Sequence, residues 1–181
     1  MLFHFNITLT EEDYLAFNNF HSFESKHGRK AIRKSRIFFI AIMALLIALM
    51  FFIQGVTTFS LIYTALLGVY TIVYMLLFRK VLNKNIKSQI KRLKKLGKLP
   101  YEPISTLEFY EDKMVEITTS ARTEQSYDVF ERLCIVANRY ILLYRSSVGA
   151  YILPMAQIKS QANLDDLLYF LSQKCNTVEH Y

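Results

Sequence analysis

The spacing of hydrophobic and polar residues changes several times along this chain, and each change predicts an element. Leu2-Phe3-His4-Phe5-Asn6-Ile7-Thr8-Leu9 alternates at period two, the pattern of a half-buried strand over 1–9. Thr10-Glu11-Glu12-Asp13 then reads as a helix start, with Thr10 as N-cap and acids in the first turn. Tyr14, Phe17, Phe20 and Phe23 give that helix an apolar side, and the pattern predicts it from Glu11 to about His27, with Gly28 as the interruption. A basic run closes this 10–36 segment. From Ile37 to Phe78 there is no Asp, Glu, Lys, Arg or His. Two apolar runs, Ile37 to Ile53 and Leu61 to Phe78, flank the polar stretch Gln54 to Ser60. Extended into that connector, they make two spans at about 37–56 and 59–78, long enough for a hydrocarbon core. Beyond Phe78, Leu82, Ile86, Ile90, Leu93 and Leu96 recur at helical spacing with lysines on the other faces. The second helix is therefore expected to run on as a basic amphipathic stalk over 79–99, ending at Gly97 and Pro100.

Past Pro103 the period returns to two. Strands are expected at Ile104 to Tyr110, Lys113 to Thr119, Arg122 to Tyr127, Glu131 to Val136, Arg139 to Arg145 and Gly149 to Pro154. Asn163 then caps a closing helix over 163–175, with Asp165 and Asp166 in its first turn. A domain of this size, 100–176, has a marginal core. Adding the 1–9 strand to its sheet increases burial and covers an edge. The expectation is a split β domain with the helical hairpin inserted after its first strand.

Composition sharpens this picture. The 181 residues are 52% hydrophobic yet carry 22 Lys and Arg against 15 Asp and Glu, a net charge of +7. Such segregation excludes a plain soluble globular protein and a disordered chain. Two cysteines are too few for a disulfide-stapled module. Fifteen of the 22 basic residues flank the uncharged block, from Lys26 to Arg36 and from Arg79 to Lys98, and the connector has none. The positive-inside rule then puts both termini in the cytoplasm, where Cys134 and Cys175 stay reduced thiols. Lys30, Arg33, Lys34, Arg36, Arg79, Lys80, Lys84, Lys87 and Lys91 stand where they would meet anionic headgroups. No stacking aromatics interleave the lysines, which argues against a nucleic-acid partner. Inside the hairpin, Ala41, Ala44 and Ala48, with Thr64, Gly68 and Thr71, have the spacing of closely approaching helices. Tyr63, Tyr70 and Tyr74 form a stripe on the second helix.

The chain carries no recognisable catalytic constellation. His4, His21, His27 and His180 have no metal-ligand spacing with one another or with the cysteines. The glycines do not cluster into a phosphate loop, and Cys134 lies in an apolar run that buries it. No metal, cofactor or enzymatic activity is implied. Arg122, Arg139 and Arg145 are the candidate partner contacts on the β domain, with Arg132 beside them. The alternative is a solvated face balanced by Glu108, Glu116, Glu124 and Glu131.

Seven antiparallel strands and a C-terminal helix have the order of a pleckstrin-homology-like domain. The stretch STLEFYEDKMVEITTSARTEQSYDVFERLCIVANRYILLYRSSVGAYILPMAQI resembles the C-terminal module of the YcxB-like family of bacterial membrane proteins. Its recognisable parts are LEFYEDKMVEI, the aromatic turn from Tyr127 to Glu131, and the ILP before Met155. That family has a Trp where Tyr127 or Phe130 stands and a basic residue where Met155 stands, so no anion site is carried over. The resemblance implies an α+β protein of the bacterial cytoplasmic membrane: a two-helix transmembrane hairpin plus a small antiparallel pleckstrin-homology-like β-barrel or sheet. The function expected is that of a membrane-tethered binding or regulatory module contacting anionic lipid and an unknown protein partner or a second copy of itself. The alternatives are an accessory subunit of a transport or bacteriocin-immunity-type complex, and an anionic-lipid sensor.

Overall fold

The structure, a computed structural model, describes residues 1–147 and 149–181. It is an α+β chain in two units: Met1–Asn18 with Arg92–Tyr181, and Asn19–Lys91. The first elements are strand β1, Phe3–Thr8, and helix α1, Glu11–Asn19. In α1, Asp13 accepts from the Thr10 backbone N–H at 2.9 Å and from its hydroxyl at 2.7 Å, a reciprocal cap with the Asp13 N–H donating back to Thr10 Oγ1.

The helical unit departs from the expected helix to His27. A π-helical turn, Phe20–Glu24, follows α1, and Ser25 is extended at φ −64°, ψ 149°. Helix α2, Lys26–Gln54, starts there, with Ser25 Oγ accepting from the Gly28 N–H at 2.9 Å and donating to the His21 carbonyl at 2.6 Å. Gly28 therefore does not end a helix. It sits in the first turn of α2, where a Cβ would collide with the His21 and Ser22 carbonyls. Only three residues separate α2 from helix α3, Thr58–Lys95. The connector is thus shorter than Gln54 to Ser60, because Thr57 and Ser60 cap α3 reciprocally: Thr57 N–H to Ser60 Oγ at 2.9 Å, Ser60 N–H to Thr57 Oγ1 at 3.2 Å. Gly55 closes α2 at φ +66°, a left-handed value suited to glycine.

Both α2 and α3 are long and apolar enough to cross a membrane. Phe39, Met43, Ile47, Met50 and Phe51 of α2, and Ser60, Thr64, Leu67, Thr71, Tyr74, Met75 and Phe78 of α3, are shielded positions of the hairpin. Phe39 stacks on Tyr74 at 4.3 Å. Ala41, Ala44, Ala48 and Gly68 are exposed, contrary to a close approach through small residues. The bulky Phe39–Tyr74 stack sets the seam instead, and Thr64 and Thr71 turn their hydroxyls to the Ser60 and Leu67 carbonyls of α3 itself. Along the stalk Ile90 is buried and Leu82, Ile86 and Leu93 are half-buried, whereas Leu96, at the end of the expected stripe, is exposed; the lysines are exposed throughout. Gly97, at φ +68°, ends α3, with the Lys98 N–H donating to the Leu93 carbonyl at 3.0 Å.

The β unit has two four-stranded sheets. β2 (Ile104–Phe109), β3 (Lys113–Thr118) and β4 (Arg122–Ser126) follow β1 in the order β1-β2-β3-β4. All pairs are antiparallel, with Phe5 opposite Leu107 in the β1–β2 register. β5 (Arg132–Val136), β6 (Tyr140–Tyr144) and β7 (Ala150–Pro154) are also antiparallel neighbours. Helices α4 (Met155–Lys159) and α5 (Leu164–Lys174) come next. A last strand β8, Val178–His180, pairs parallel to β5, giving the order β7-β6-β5-β8. Among the described residues, eight strands with one parallel pair replace the seven antiparallel strands expected, and β8 lies past residue 176. The core joins Phe5, Leu107, Phe109 and Met114 of one sheet to Leu133, Ile141, Leu143 and Leu153 of the other and to Leu167 and Leu171 of α5, each at most 2% exposed.

The outer edge of β1 is covered by side chains. Gln157 Oε1 accepts from the Thr8 N–H at 2.8 Å and its Nε2 donates to the Thr8 carbonyl at 2.7 Å. Gln161 does the same for Asn6, at 2.7 and 3.0 Å. Two amide side chains thus take the place of a ninth strand.

Candidate functional site

The β unit holds an open cavity of about 410 Å³ built from segments distant in sequence. Tyr14 and Phe17 of α1, Tyr101, Glu116 of β3, Arg145 and Tyr151 of β7 give it its chemistry. Asp13, the residue before Tyr14 on α1, accepts from the Tyr140 hydroxyl at 2.8 Å, and Phe17 lies 6.1 Å from the Tyr144 ring. These contacts hold α1 against β6. Tyr14 then stacks on Tyr101 with centroids 5.1 Å apart, forming an aromatic wall.

Opposite chemistry comes from Glu116 and Tyr151. The Tyr151 hydroxyl donates to Glu116 Oε2 at 3.1 Å. Burial pushes the Glu116 carboxyl above its usual value and the Glu102 charge adds to this, while the Tyr151 hydrogen bond and the Arg145 charge pull the other way. Burial, then the Glu116 charge and hydrogen bond, push the Tyr151 phenol up to about 12. The Arg145 guanidinium lies 5.8 Å from the Tyr151 ring. Around Asp13, burial works to raise the carboxyl, but the Thr10 and Tyr140 hydrogen bonds outweigh it and hold it below the usual range. The cavity thus offers aromatic faces, a half-buried carboxyl with its phenol donor, and one guanidinium. That set suits recognition of a group with an apolar body and polar ends.

The candidate partner contacts are scattered. Arg145 lines the cavity. Arg122 pairs with Glu124 at 3.6 Å on the exposed face of β4, where Lys113 meets the same carboxylate at 2.6 Å. Arg139 lies by the Tyr140 ring at 5.5 Å in the β5–β6 turn, where Ala137 and Asn138 both have positive φ. Arg132 is only 7% exposed, with its guanidinium 4.1 Å from the Tyr144 ring, so it belongs to the interior and not to a polar surface. Glu116 likewise leaves the solvated set. Cys134 and Cys175 are both buried, and burial pushes the Cys175 thiol up to about 11.

In the helical unit all nine candidate headgroup contacts are exposed. Arg33, Arg36 and Arg79 line a single recess together with Arg29, whereas Lys30, Lys34, Lys80, Lys84, Lys87 and Lys91 do not. Sequence reading missed Arg29 as a member, as well as Tyr14, Tyr101, Glu116 and Tyr151 of the cavity. The Arg29-Arg33-Arg36 spacing of one helix face was the available signal for the recess. Among the described residues no three His, Cys, Asp or Glu side chains are grouped to hold a metal ion. In comparisons with family models, curated proteins and solved structures, nothing matches this chain.

Proposed function

We propose that this protein is a non-enzymatic, membrane-tethered binding module at the inner face of the bacterial cytoplasmic membrane. In this reading α2 and α3 form the anchor, both termini are cytoplasmic, and the β unit is a pleckstrin-homology-like domain of the YcxB-like kind that recruits or regulates a protein partner. The observation that carries it is the pairing, in one chain, of a β unit with an aromatic and carboxyl-lined cavity and two long helices whose outer surfaces are apolar. Phe38 is 69%, Phe52 88% and Leu76 75% exposed, a surface that lipid tolerates and water does not. The absence of any acid from Ser25 to Tyr101, with fifteen basic residues in that stretch, supports the orientation. Two sheets plus a C-terminal helix support the domain assignment.

The test is purification of the tagged full-length protein from native membranes in mild detergent, beside two variants. Replacing the hairpin by an unrelated two-span anchor should leave a stoichiometric partner bound, and Tyr14→Ala with Tyr101→Ala should release it. Loss of the partner on swapping the hairpin favours the second reading, an accessory subunit of a transport or bacteriocin-immunity-type complex. The exposed Ala41, Ala44, Ala48 and Gly68 favour that alternative, since small outward residues admit a neighbouring helix.

A further inference from the structure

We propose that Arg29, Arg33, Arg36 and Arg79 form a binding site for the phosphate of an anionic phospholipid, and that this site is separate from the diffuse attraction of the lysine-rich stalk. The inference rests on the membrane-anchored reading and names the ligand of one part of it. Arg29, Arg33 and Arg36 stand at i, i+4 and i+7 on α2, on one face, and Arg79 comes from α3. They line a recess of about 360 Å³. Like charges at these spacings destabilise a helix. Glu24 is the one acid between Asn19 and Tyr101, so the sequence around the recess supplies almost no counter-charge. An anion held among the four guanidinium groups removes the repulsion and gains charge-assisted hydrogen bonds.

Three features narrow the ligand. First, lysines alternate with these arginines along both helices, yet every basic residue lining the recess is an arginine. The planar guanidinium fork matches phosphate oxygens in a way that the ammonium group does not. Second, two of the arginines are steadied by rings: Arg79 lies 4.6 Å from the Phe23 centroid and Arg36 5.6 Å from that of Phe78. Third, the recess continues onto Ile37 and Ile40, which are 59% and 51% exposed and begin the uncharged stretch of α2. A phosphate at the arginines with an apolar chain along those isoleucines uses both surfaces, which inorganic phosphate does not.

The experiment titrates the detergent-solubilised full-length protein with dioleoylphosphatidylglycerol, dioleoylphosphatidylcholine or inorganic phosphate and counts bound molecules by native mass spectrometry. Phosphatidylglycerol should bind, and Arg33→Gln with Arg79→Gln should weaken it by about tenfold or more. Lys84→Gln with Lys87→Gln removes the same charge from the stalk and should change it less than about twofold. Arg33→Lys with Arg79→Lys keeps the charge and should still lose most of the binding. Equal losses in the two Gln pairs, or none in either, overturn the site. Inorganic phosphate binding with the same arginine dependence, and displacing the lipid, overturns the lipid as its source. Carbonate extraction of each variant keeps the two levels apart. A wild-type chain washed out by carbonate fails the anchor reading, whereas a retained chain indifferent to the arginines fails the headgroup site alone.

Discussion

At the residue scale, the β unit concentrates its chemistry in a few side chains whose surroundings change their character. Glu116 is the clearest case. The sequence groups it with Glu108, Glu124 and Glu131 as a balancing charge on a solvated face, but the cavity half-buries it against the Tyr151 hydroxyl. Burial raises its folded-state pKa above the unfolded value, so the folded chain holds this proton more tightly. The stability linked to that proton is complete below the unfolded value and is lost as pH rises through the folded one. Glu116→Gln, which keeps the Tyr151 hydrogen bond without the charge, should therefore melt a few degrees higher than the parent at pH 8, and the difference should vanish toward pH 4. Thermal unfolding at the two pH values checks this, and a variant that melts lower at pH 8 contradicts it. Nothing local announces Glu116, because Tyr151 and Arg145 reach it only through the fold.

At the element scale, strands and long helices were legible because their signals are periodic and local. The strand at Leu2 to Leu9 alternates cleanly, and it pairs with β2 across about a hundred residues of intervening chain because Phe5 and Ile7 need the same core as Leu107. The elements missed lack such signals. β8 has three residues, too few for a period, and owes its place to the parallel ladder with β5. The helix breaks at Ser25 and not at the expected Gly28, because a glycine reads as a helix stop while a serine that caps the next helix is silent without its partners. Gln157 and Gln161 belong to no periodic pattern in the sequence, yet their amides complete the backbone of Thr8 and Asn6. Gln157→Ala with Gln161→Ala should lower stability by about 1–3 kcal/mol in denaturant melts and leave β1 open to pairing with another chain. An unchanged midpoint, with no rise in aggregation, would mean that water serves this edge as well as the glutamines do.

At the scale of the whole molecule, charge and hydropathy divide the chain into parts that need different surroundings. Seventy-seven residues from Ser25 to Tyr101 lack any acid, and within them the basic residues stand at both ends of the uncharged hairpin. At 1.5 Å per residue the 29 residues of α2 and 38 of α3 extend about 44 and 57 Å, beyond the roughly 30 Å of a hydrocarbon core. The excess is where the basic residues lie. The central claim is an anchor with its turn outside and its β unit inside, and site-directed labelling tests it most directly. Val56→Cys marks the exposed connector and Ser120→Cys the exposed β3–β4 turn, while Cys134 and Cys175 are buried. With a membrane-impermeant maleimide on intact bacterial cells, Val56→Cys should be labelled, and Ser120→Cys should react only after the membrane is permeabilised. Labelling of Ser120→Cys in intact cells with Val56→Cys protected would contradict the account.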